Sequence, residues 1–129
     1  MITFLKKYWI STSVILTIFV LCMIDTAPLP EAPMRDFDKL VHIVMFMGIS
    51  GVIFFDNTGY LRFPVSRMRI FLNSFLFPVA LGGFIEIVQE YFTKTRNGDW
   101  YDFLFDIVGA FLGLVIVLLI NHWLMLRKK

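Results

Sequence analysis

Four apolar runs alternate with short polar segments along this chain, and their lengths suit membrane-crossing helices better than strands. The first, Tyr8 to Ile24, is a 17-residue stretch without a charge that follows Lys6 and Lys7. Pro28, Pro30 and Pro33 come next, and because proline fixes φ and restricts the residue before it, they predict a stiff, extended connection. The second run, Leu40 to Phe55, carries His42 in its first turn, behind Asp36 and Asp38 as candidate N-caps. Asn57, Thr58 and Gly59 end it, and Pro64 discourages a helix through the segment that bears Arg62, Arg67 and Arg69. The third run, Ile70 to Phe92, contains Pro78, Gly82 and Gly83, and its proline predicts a kink. A turn over Lys94 to Gly98 leads to the fourth run, Trp100 to Trp123, with Arg127, Lys128 and Lys129 behind it. The expected fold is all-α: an integral membrane four-helix bundle in a single domain over 1–129, with helices near 8–25, 38–56, 69–92 and 100–123.

Composition supports a bilayer as the solvent. The 129 residues are 58% hydrophobic with mean hydropathy +0.76, well outside the range of an ordinary soluble domain. Four spans of roughly 20 residues would use about 80 residues and leave no separate soluble domain. The first run reads as a retained helix rather than a signal peptide, since no small-x-small cleavage site follows it and Leu21 stands before Cys22 where a lipoprotein signal needs a small residue. Cys22 is the single cysteine, which excludes an internal disulfide and a cysteine zinc site.

Charge sorts by side. With the N-terminus, the loop between the second and third helices and the C-terminus together, eight basic residues meet only Asp56, a net of +7. The other side holds four basic and nine acidic residues, a net of −5. Lysine and arginine excess marks the cytoplasmic face, so both termini are expected inside and the acidic side outside. Trp9, Trp100 and Trp123 lie near predicted helix ends, where interfacial anchors sit.

On the acidic side the polar residues fall into register. Asp38 and His42 are four apart and Lys39 and His42 three apart, so they share a helix face. Gly82, Glu86, Gln89 and Thr93 step by four, three and four, and Asp99, Asp102, Asp106, Gly109 and Gly113 by three, four, three and four. The second seam puts carboxylates above and a GxxxG pair below, where the missing side chains admit a neighbouring helix. Plainer roles stand beside these: Asp36, Asp38 and Asp99 as caps, Lys39, Lys94 and Arg96 snorkelling to the interface, Glu90 facing headgroups, and His42 as a hydrogen-bonded interior residue. Glu86 and Asp106 are harder to assign that way, since each lies inside its apolar segment, where a charge costs up to about 3 kcal/mol on insertion scales.

The blocks DKLVHIVMF at 38–46, GFIEIVQ at 83–89 and RNGDWYDFLFDIVGAFLG at 96–113 resemble the VanZ-like family of small bacterial membrane proteins, named for a member linked to teicoplanin resistance. By that resemblance the family positions fall on Asp38, Lys39, His42, Phe46, Glu86, Gln89, Arg96, Asp99, Asp102, Gly109 and Gly113. Position 106 departs from the pattern: the family commonly has asparagine where this chain has Asp106. The resemblance implies a place in the bacterial cytoplasmic membrane, an association with the cell envelope and a glycopeptide-related ligand, and it defines no reaction.

The leading expectation for function is a pocket on the extracytoplasmic side that binds, and hydrolyses, the head group of an anionic envelope lipid such as a polyprenyl-phosphate-linked sugar. Arg96, Lys39 and His42 would meet phosphate. Glu86 with Asp102 or Asp106 would form an acid and base pair, because crowded carboxylates take up different protonation states. Asp38, Gln89 and Asp99 would line the same site. A divalent cation held by the carboxylates, with or without His42, is a variant. The alternatives are a non-catalytic polar network that holds the bundle or a partner, and a small multidrug transporter, which the lack of ionisable residues in the first helix disfavours. Membrane lipids are the expected surroundings, and no nucleic-acid partner is expected.

Overall fold

The computed structural model describes residues 6–24, 37–93 and 98–128. It is a bundle of four helices: α1 (Trp9–Met23), α2 (Phe37–Asn57), α3 (Arg67–Phe92) and α4 (Trp100–Arg127). The last three have the length and apolarity to cross a membrane, and α1 is a shorter apolar helix of 15 residues. Two ends run past the expected boundaries. Ser66 caps α3 two residues early by accepting from Arg69 N–H. α4 continues to Arg127 because no breaker follows Trp123 and a basic last turn suits the helix dipole.

The kink expected at Pro78 takes the form of a π-helical turn just ahead of it, over Leu72–Leu76, in which Phe77 N–H reaches back to Leu72 C=O. Proline has no N–H to offer the turn before it, and one wider turn lets the chain pass that defect without ending the helix.

α2 and α4 form the central pair. Gly109 sits on the backbone of Ile43, and Gly113 on Ser50 and Met47, so the GxxxG seam packs against α2. One apolar core joins α1, α2 and α3 through Ile18, Cys22, Phe46, Ile49, Ile53 and Ile85. A second joins α2, α3 and α4 through Phe54, Ile70, Leu114, Val117 and Leu124. Outward faces carry exposed Leu16, Val20, Phe84, Ile87, Phe111 and Leu119, apolar surface that a bilayer and not water can cover.

The two ends of the bundle differ. Trp9 Nε1 donates to Tyr60 Oη, Tyr8 Oη donates to Asn57, and the Lys128 ammonium lies 4.3 Å from the Phe63 ring centroid. These contacts gather the start of α1, the α2–α3 connection and the end of α4, and with them Lys6, Lys7, Arg62, Arg67, Arg69, Arg127 and Lys128, at one basic end. The start of α2, the end of α3 and the start of α4 meet at the other, acidic end.

Candidate functional site

The inward stripe of each long helix places one ionisable group at the acidic end. On α2 the buried face runs His42, Phe46, Ile49 and Ile53, so His42 is the member of a core stripe nearest the helix start. On α3 it runs Pro78, Gly82, Ile85, Glu86 and Gln89. On α4 it runs Asp106, Gly109, Gly113, Val117 and Asn121. His42, Glu86 and Asp106 are 5%, 6% and 0% exposed, and one ligand-type atom from each lies within 4.8 Å of those of the other two.

The glycines make this convergence feasible. A Cβ at Gly109 would strike the Ile43 carbonyl, next in the chain to His42, and a Cβ at Gly82 would stand 2.8 Å from Asp106 Oδ2 and 3.2 Å from the Phe46 ring. Without side chains at these positions, α4 comes close enough for His42 Nδ1 and Asp106 Oδ1 to lie 2.7 Å apart. This contact turns Nδ1 toward Asp106 and sets the orientation of the ring. Nε2 then faces Asp102 Oδ2 at 3.9 Å.

Glu86 has two tasks. Its Oε2 accepts from Asp99 N–H at 2.8 Å, while Glu90 accepts from Gly98 N–H at 2.9 Å, so the last turns of α3 grip the backbone that leads into α4. Among the described residues its Oε1 is buried without a hydrogen-bond donor, and so are Asp102 Oδ1 and Asp106 Oδ2. Three carboxylates thus present three unused oxygens at one end of the bundle. Unused buried acceptors are uncommon, because each forfeits its water without a replacement.

The other expected site residues separate by position. Asp102 is at the mouth, its side chain 18% exposed, close enough to Asp38, Lys39 and Asp99 for their charges to act on it. Asp99 is exposed and caps α4 by accepting from Tyr101 N–H. Asp38 is exposed in the first turn of α2. Gln89 is buried, but its amide is spent on the Cys22 carbonyl at 2.8 Å, which ties α3 to the end of α1. Lys39 lines a groove between α2 and α4 with Leu40, Ile43, Tyr101 and Phe105. Arg96 lies outside the described residues.

Sequence reasoning missed a second polar cluster, at the basic end. Asp56 is only 2% exposed, and its Oδ2 accepts from both the N–H (3.0 Å) and the hydroxyl (2.6 Å) of Ser11. Ser11 is in the first turn of α1, whose amides lack partners within their own helix, so a carboxylate from α2 caps α1 across the bundle. Asn121 is paired in both directions with the backbone of Val65, each bond 2.9 Å. One sign was available: Asp56 is the lone acid among the basic residues of that end.

Helices of membrane length, an apolar exterior and a buried histidine–carboxylate cluster at one end define a small helical membrane protein with a polar centre. A family model described as VanZ/LLP1 matches residues 2–121, nearly the whole chain. The chain belongs to the VanZ/LLP1 family, in agreement with the resemblance carried by its three sequence blocks. Comparison with curated proteins and with solved structures found no match.

Proposed function

We propose that the acidic end binds the phosphate-bearing head group of an anionic envelope lipid, such as a polyprenyl-phosphate-linked sugar, and hydrolyses it. The observation that carries this reading is the cluster of His42, Glu86, Asp102 and Asp106, drawn from three helices and left with three unused carboxylate oxygens. Asp56 at the basic end also keeps one oxygen unused, but it is a single carboxylate, whereas here three crowd beside one imidazole. Gln89 Nε2 donates to the Cys22 carbonyl, Glu90 accepts from Gly98 N–H and Asp99 accepts from Tyr101 N–H, contacts that tie backbone segments together.

The groove between α2 and α4, whose Ile43 and Phe105 are next in the chain to His42 and Asp106, suits a lipid. Leu40, Ile43 and Phe105 offer apolar lining for a chain, and Lys39 at its rim offers an ammonium to phosphate. With the head group there, Asp102 is the proton carrier nearest the opening, and His42, held by Asp106, backs it from within. A water oxygen forms the new bond to phosphorus as the bond from phosphorus to the leaving oxygen breaks. Asp102 takes the proton from the water and returns it to the leaving oxygen, so the diester and water become a phosphomonoester and an alcohol. Arg96, as read from the sequence, adds a second phosphate contact. By the positive-inside rule the acidic end faces out of the cytoplasm, and the lipid comes from the outer leaflet.

The test is reconstitution in liposomes that contain a polyprenyl-phosphate sugar, with release of the head group followed for wild type, Glu86→Gln and Asp102→Asn. Loss of turnover in both folded variants is expected. Turnover and binding that survive Glu86→Gln unchanged would remove the proposal.

A further inference from the structure

We infer that His42, Glu86 and Asp106 form a binding site for one divalent transition cation of the manganese or zinc class. The three residues come from α2, α3 and α4, are all buried, and bring one nitrogen and two carboxylate oxygens within 4.8 Å of one another. Among the described residues Glu86 Oε1 and Asp106 Oδ2 are buried acceptors without a donor, so the polar capacity left over is of the kind a cation uses. Asp106 Oδ2 lies against Gly82, the one residue type that leaves it room there.

The spacing suits coordination. His42 Nδ1 and Asp106 Oδ1 stand 2.7 Å apart, and neighbouring ligands of a metal bound at about 2.1 Å lie roughly 3 Å from each other. A cation can therefore take the place of the proton these two atoms share, with Glu86 closing the third side. The ligand set decides the class of ion. Calcium and magnesium favour oxygen alone, whereas one imidazole with two carboxylates is the mixed set of first-row transition ions. Asp102 stays out of the set: its oxygen is 3.9 Å from the far ring nitrogen, on the side of the mouth. A bound ion would thus take three protein ligands, with Asp102 left beside them as a base. An ion there gives phosphate oxygens a positive partner that three carboxylates cannot offer, and this link to phosphate rests on the head-group reading above, while the cation site itself does not.

Full-length protein in nanodiscs, stripped with chelator, is titrated with Mn²⁺ alone and with Zn²⁺ alone by calorimetry, and the Mn²⁺ sample is examined for nitrogen coupling by pulsed electron paramagnetic resonance. One ion per chain is expected, with a nitrogen signal that His42→Ala abolishes. Glu86→Gln is expected to weaken binding by at least about tenfold, while Glu90→Gln, at an exposed neighbouring carboxylate, leaves it unchanged. Asp106→Asn is read only in samples with wild-type helicity, and where that variant fails to fold the affinity of Glu86→Gln decides. Absence of stoichiometric binding by wild type, or equal affinity in Glu86→Gln, overturns the cation site. Lipid turnover that persists after exhaustive chelation overturns the ion's link to phosphate and leaves the head-group reading standing. Cation binding without turnover does the reverse.

Discussion

Gly82 of α3 lies directly against the Asp106 carboxylate of α4, and a single methyl group at that position would come within 2.8 Å of Oδ2. The contact couples helix packing to the geometry of the cluster. Phe46 stands 3.2 Å from the same point, so neither neighbour can withdraw without disturbing the other. Gly82→Ala should lower stability by about 1–3 kcal/mol, the usual penalty for overpacking a filled interior. The same change should break the His42–Asp106 contact. Thermal unfolding in detergent reads the first effect, and the imidazole proton signals in an NMR spectrum read the second. Unchanged values for both would show that α3 and α4 have slack here.

The two glycines of the α4 seam should not be equivalent. A Cβ at Gly109 meets the Ile43 backbone, whereas one at Gly113 meets chiefly the Ser50 side chain. Backbone cannot step aside, so Gly109→Ala should destabilise more than Gly113→Ala. The double variant Ser50→Gly with Gly113→Ala should lose less than the sum of its parts, since the two changes share one contact. Strict additivity in unfolding measurements would count against this packing.

Removing the Ser11 hydroxyl leaves Asp56, buried at 2% exposure, with one of its two donors. Ser11→Ala should therefore cost about 1–3 kcal/mol, far more than loss of an exposed serine hydroxyl. The loss should centre on α1, whose first turn Asp56 caps. Hydrogen exchange resolved by peptide checks this: faster exchange is expected over Trp9–Met23, with α4 little changed.

The orientation can be fixed by thiol labelling in intact cells. Cys22 is 2% exposed, so the native cysteine should stay silent. A cysteine introduced by Glu31→Cys should react with an impermeant maleimide, and one introduced by Lys128→Cys should react only after lysis. The opposite pattern would place the acidic end in the cytoplasm and send the search for a substrate to the inner leaflet.

The four helices and the inward seam of α4 were legible because period and depth are local properties of a chain. Spacing alone put Asp106, Gly109 and Gly113 on one face, and all three are buried there. What spacing cannot supply is the neighbour. Gln89 shares its stripe with Glu86, yet α1 rises beside it and takes its amide for Cys22. Asp99 begins the carboxylate seam but sits at the cap, where the next amides claim it. Asp56 read as a charge at a helix end, and only its donor 45 positions away in sequence shows it to be interior. The π-helical turn had a clear cause in Pro78, but proline can be absorbed by a bend, a break or a wider turn, and packing chooses among them.

The helices that form this bundle are of unequal reach. At 1.5 Å per residue, α1 with its 15 residues covers about 22 Å and α4 with its 28 about 42 Å. A hydrocarbon layer near 30 Å thick is longer than α1 and shorter than α4, whose polar ends reach the headgroup level. Membrane thickness is therefore a variable that should act on the α1 flank of the bundle differently from the α4 flank.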